Sequence, residues 1–91
     1  MNPKPETTGD YGLTIHPNPA KTEITVSIGN SKVSIERVEL YDIFGKMLLQ
    51  QNFNKSQGVV SINSYSDGIY VMKVYLSNGK VENRKVVKQQ K

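Results

Sequence analysis

The sequence predicts an all-β fold, an antiparallel sandwich of seven strands. Three observations predict it. Short apolar–polar alternations recur along the chain and are rich in β-branched and aromatic residues. Turn signals built on Gly, Asn, Asp and Pro separate them at short intervals. No stretch carries the 3.6-residue apolar period of a helix.

Met1–Asp10 has no apolar period and two prolines, and reads as a linker or cloning remnant ahead of one domain over residues 11–91. Tyr11–Ile15 is a short first strand with Leu13 and Ile15 on one face. His16-Pro17-Asn18-Pro19 ends it, because each proline fixes φ and pushes the residue before it into extended backbone. Glu23–Gly29 sets Ile24, Val26 and Ile28 against Thr25 and Ser27. Val33–Ile35 leads into V-E-L-Y-D-I-F-G-K, Val38 to Lys46. Its strand buries Val38 and Leu40, Asp42 opens a turn, and Gly45 closes it with a positive φ. The returning strand is Met47–Phe53. Pairing Tyr41 with Lys46 places Leu40 opposite Met47 and Val38 opposite Leu49, all on one face.

Asn54–Gly58 turns again, and Val59–Asn63 follows with Val60 and Ile62 inward. Ile69–Leu76 puts Tyr70, Met72, Val74 and Leu76 on one face. Gly68-Ile69-Tyr70 matches the tyrosine corner of immunoglobulin-like sandwiches, which makes that the expected build. Asn78-Gly79 is a strong hairpin signal. The last strand, Val81–Lys88, fits poorly: one register turns Asn83 and Lys85 inward, the other Glu82 and Arg84. It reads as a partly covered edge strand contributing little to the core, so that removing Val86–Lys91 leaves most of the sandwich folded. The expected core is Ile24, Val26, Ile28, Val38, Leu40, Leu49, Ile62, Tyr70, Met72 and Val74.

Ninety-one residues bury about 60–65% of their unfolded surface, enough for one small core. With no cysteine there is no disulfide frame and no thiolate metal site. The formal charge of +4 is scattered, so it does not point to nucleic acid. No apolar run approaches the ~20 residues that span a bilayer. The polar first residues are no secretory signal, so work outside the cytoplasm implies a larger chain upstream.

The one histidine, His16, has no nucleophile or carboxylate motif beside it, and a structural or exposed role is the plainer reading. No catalytic residue is identified, and neither an enzyme nor any cofactor is expected. Asp42 and Asp67 sit in turns, where aspartate serves the backbone; calcium wants six or more clustered oxygens. No metal site is expected. Ile43 and Phe44 either fold back over the end of the sandwich or offer an apolar contact to a partner. The basic residues Lys80, Arg84, Lys85, Lys88 and Lys91 fit two readings equally: protection of an edge strand from pairing, or a recognition surface.

Three pieces stand in order: I-H-P-N-P-A (Ile15 to Ala20), V-E-L-Y-D-I-F-G-K-M-L (Val38 to Leu48), and D-G-I-Y-V-M-K-V with N-G-K and K-V-V-K (Asp67 to Lys88). The set resembles the type A C-terminal sorting domain of type IX secretion cargo from Bacteroidetes, over Leu13 to Lys88. The resemblance implies a secretion label. A parent cargo protein, N-terminal to this segment, crosses the inner membrane and the periplasm. It then passes the outer-membrane translocon, with a shuttle protein and a sortase as further partners. The cargo ends at the outer membrane, on the cell surface or secreted, commonly cut from the domain and joined to anionic lipopolysaccharide. By position, the resemblance implies a recognition surface of Gly79, Lys80, Lys85, Val86, Val87 and Lys88, with an incompletely paired edge available for β-augmentation. Pro17, Asn18, Pro19, Asp42, Gly45, Lys46, Gly68 and Tyr70 are scaffold. The alternative is an adhesive or carbohydrate-binding module, which the missing Trp disfavours.

Overall fold

A computed structural model describes residues 12–89. The linker read into Met1–Asp10, Tyr11 of the first strand, and Lys91 of the basic set lie outside them. Seven strands and no helix make up the described residues: β1 (Thr14–His16), β2 (Glu23–Ser27), β3 (Ile35–Tyr41), β4 (Met47–Lys55), β5 (Gln57–Ser61), β6 (Gly68–Leu76) and β7 (Val81–Lys88). They form two antiparallel sheets, ordered β1-β2-β5 and β4-β3-β6-β7. The chain crosses between sheets at Ser56, whose carbonyl accepts from Ile28 N–H at 2.9 Å.

The core lies between the sheets and takes every second residue of the central strands: Ile24 and Val26 from β2, Val38 and Leu40 from β3, Met72, Val74 and Leu76 from β6. Nine of the ten expected core residues are buried; Leu49 is half-buried. Leu13, Ala20, Val33, Ile35 and Val86 are buried in addition, as are Val60 and Leu76, which the alternation places on the inward face. Ile35 and Val38 are three apart, yet both face inward, because the register shifts between Ile35 and Arg37 and a bulge absorbs the odd step.

The expected β3–β4 register is wrong. Leu40 pairs with Leu49, Val38 with Gln51, and Tyr41 with Met47, with a shift between Leu40 and Tyr41. The loop causes it. Asp42 N–H donates to Lys46 C=O, closing three residues, Ile43-Phe44-Gly45, and Leu48 is then an extra residue in β4. Met47 consequently lies on the outer face, exposed.

The β6–β7 loop repeats this solution. Leu76 N–H donates to Lys80 C=O, and Gly79 N–H to Leu76 C=O, as Gly45 N–H does to Asp42 C=O. Gly45 and Gly79 close the two loops at φ 86° and 89°, in the left-handed region. A three-residue loop turns Glu82 and Arg84 inward, opposite Val74 and Met72. Arg84 donates to Glu82 at 3.0 Å, so the inward charges are matched. The tyrosine corner is present: Tyr70 O–H donates to the Ser66 carbonyl.

Candidate functional site

β7 is the edge of its sheet, but much of its edge is closed. The chain leaves β1 through His16-Pro17-Asn18-Pro19, whose two X-Pro peptides are both cis, and Asn18 and Ala20 lie beside residues 85–89. Asn18 Nδ2 donates to Lys85 C=O at 3.1 Å, and Val87 N–H donates to Asn18 Oδ1 at 3.0 Å. Ala20 N–H donates to Val87 C=O, and Gln89 N–H to Ala20 C=O, each at 2.8 Å. Asn18 thus serves with its side-chain amide as a strand residue serves with its peptide groups. The first and last motifs read from the sequence are two sides of one closure.

This revises β7 in two respects. Val86 is 0% exposed, between Tyr70 and the clamp, and Lys88 is 3% exposed, with Nζ 3.6 Å from Asp67 Oδ1. The end of β7 is therefore part of the core, which counts against the expectation that removing Val86–Lys91 leaves most of the sandwich folded. The basic residues are not one patch either. Arg84 faces inward with Glu82, Lys88 is buried, and the exposed Lys80 and Lys85 stand apart, Lys80 in the loop before β7 and Lys85 within it. Of the expected recognition residues, Gly79, Lys80 and Lys85 are exposed and Val87 half-exposed.

At the other end of β3, Asp42 Oδ1 accepts from the N–H groups of Phe44 and Lys46, both at 2.9 Å. The loop is held from within, and Ile43 and Phe44 stand out from it, 65% and 87% exposed. They do not fold back over the sandwich.

The outer face of the four-stranded sheet runs in rows across β4, β3, β6 and β7. One is Met47–Tyr41–Val71–Lys85, the next Gln50–Glu39–Lys73–Asn83, the third Asn52–Arg37–Tyr75–Val81. Ile69 and Val87 extend it toward the Phe44 end. Glu39 is buried on this face. It accepts from Tyr41 O–H at 2.7 Å, Tyr75 O–H at 2.9 Å and Arg37 Nε at 3.1 Å. The Tyr41 hydroxyl, with smaller help from Arg37 and Tyr75, holds the Glu39 carboxyl below its usual range against the opposing effect of burial. Reciprocally, the bond to Glu39 pushes the Tyr41 phenol up to about 12. Arg37 stacks 3.8 Å over Tyr75, and Lys73 Nζ stands 5.2 Å over Tyr41. In the sequence the signal for this cluster is Arg37, Glu39 and Tyr41 recurring on one strand face. Among the described residues, no three histidine, cysteine or carboxylate side chains gather as a metal site requires.

A model of the family described as a secretion system C-terminal sorting domain matches residues 14–89. An ulvan lyase of Nonlabens ulvanivorans is 26% identical over 74 residues, 80% of this chain and 14% of the lyase. Among solved structures, PorZ, described as an essential surface component of the type IX secretion system of Porphyromonas gingivalis, superposes with a TM-score of 0.63 at 19% identity. The match covers 86% of this chain and 11% of that one. A superoxide reductase from Ignicoccus hospitalis gives 0.58 at 15% identity, covering 87% and 79%. The chain thus spans a small part of the lyase and of PorZ, and the structural likenesses speak to the fold.

Proposed function

The chain belongs to the family of secretion system C-terminal sorting domains, and from that membership we propose that it is the export label of a longer cargo protein, read by the type IX machinery. The observation that carries the reading is the family match across residues 14–89, which takes in all three ordered motifs. The small share of the lyase that this chain spans suits a domain attached to a larger cargo. The domain travels with its cargo through the periplasm and engages the outer-membrane translocon, aided by a shuttle protein. A sortase then removes it, and the cargo is released or joined to anionic lipopolysaccharide at the cell surface. The role is one of recognition, with no catalytic step of its own. We read the sandwich as immunoglobulin-like: a three-strand and a four-strand sheet, with the tyrosine corner at the start of β6, support this build.

The test is a periplasmic reporter, with its own signal peptide, carrying this chain at its C-terminus in a Bacteroidetes host with a working type IX system. The reporter is expected at the cell surface, and in the periplasm of a strain lacking the translocon. Periplasmic retention in the competent host overturns the reading.

A further inference from the structure

Resting on the sorting function, we propose that the export machinery reads the outer face of the four-stranded sheet, with the Phe44 loop, rather than the backbone edge of β7. Its occupant is a protein surface with an apolar centre and carboxylates around it.

The edge argues against strand addition. In an antiparallel ladder, alternate residues turn both N–H and C=O to the same side. Val87 turns both toward Asn18 and Ala20, so Val81, Asn83 and Lys85 present theirs to the same edge. Along the end of β7 those groups are taken by Asn18 and Ala20, and the Asn83 carbonyl accepts from Arg84 at 3.1 Å. A partner strand along residues 85–89 would have to expel the Asn18 clamp. The inward Glu82–Arg84 pair further marks β7 as an edge guarded against pairing.

The face is open where the edge is closed. Tyr41, Val71 and Val87 form an apolar band that the exposed Phe44 extends at one end. Lys73 and Lys85 border it. The carboxylate in these rows, Glu39, is buried and matched by Arg37 and two tyrosine hydroxyls, so it neutralises none of the lysines. An apolar band with a net cationic border selects a partner of opposite charge. Asp42 already holds the backbone of the loop that carries Phe44, so little loop order is lost on docking.

The experiment uses the reporter carrying this whole chain in the competent host. The parent chain must reach the surface; if it does not, the sorting reading fails, and the face is not at issue. Given delivery, Lys73→Glu with Lys85→Glu is expected to cut surface delivery by at least about tenfold, since like charges set against each other disfavour docking. Phe44→Ser with Val71→Ser is expected to do the same. Asn83→Pro removes an edge N–H and is expected to be delivered normally, since proline is tolerated on an open edge. Melting curves of each purified chain confirm that the fold is kept. A photoactivatable phenylalanine analogue at Val71 is expected to crosslink an outer-membrane protein of the secretion system. Normal delivery of both face variants, retention of Asn83→Pro with its fold intact, or crosslinking to lipopolysaccharide in place of protein overturns the proposal.

Discussion

Asn18 bonds to two backbone groups of β7, across 67 and 69 residues of chain. Asn18→Ala removes both bonds and leaves Lys85 C=O and Val87 N–H to water; the expected loss is about 1–3 kcal/mol in urea melts. Asn18→Asp keeps the acceptor and loses the donor, so it should recover only part. A loss below about 0.5 kcal/mol for Asn18→Ala would mean that the clamp adds nothing measurable. Glu39 gives a second test, with the sign fixed by its shift. Its folded pKa is lowered, so its contribution is present above the ordinary carboxylate pKa and fades as pH falls through the folded value. Tyr41 is raised, so its contribution is full below its ordinary value of 10.0 and fades as pH climbs through about 12. The contribution of this cluster should be flat between these limits, and Glu39→Gln should weaken both limbs. An ultraviolet titration should then find Tyr41 ionising at lower pH than in the parent chain.

At the scale of elements, the two loops of like geometry separate backbone strain from crowding. A Cβ at Gly45 or Gly79 meets no atom within 4 Å, so Gly45→Val and Gly79→Val fail only through φ. Each is expected to cost about 1–3 kcal/mol. Unchanged melting of Gly45→Val would contradict the left-handed assignment. Removal of Val86–Lys91 takes out a buried valine and three of the four β7 groups that bond to Asn18 and Ala20. The truncated chain is expected to lose cooperative unfolding, seen as a broad melt. A sharp melt near the parent's would restore the peripheral strand read from the sequence. That reading failed for a definite reason: it judged β7 by parity alone, and parity shows polar Glu82 and Arg84 inward. It cannot show that a segment some seventy residues away seals the far half. The loops were legible as turns because Gly-Lys follows Asp-x-x or Ser-Asn, yet the alternation of β3 and β4 also fits a register without the Leu48 bulge.

On the scale of the whole molecule, alternation, turn chemistry and the Tyr70 corner were enough to read two antiparallel layers with most of the right core. Those signals are local, and each strand carries its own. The candidate face was less legible, because it is assembled from four strands whose registers depend on two bulges. Glu39, Tyr41 and Tyr75 meet only once β3 lies against β6. The joining of Asn18 and Ala20 to residues 85–89 also orders events in time. During synthesis, β1 to β6 leave the ribosome with the partner of Asn18 still unmade. The bonds that hold Asn18 and Ala20 form only when β7 arrives. A chain interrupted before residue 85 can lay down most of its strands but cannot seal them, so a sealed sandwich is itself a record that translation ran through.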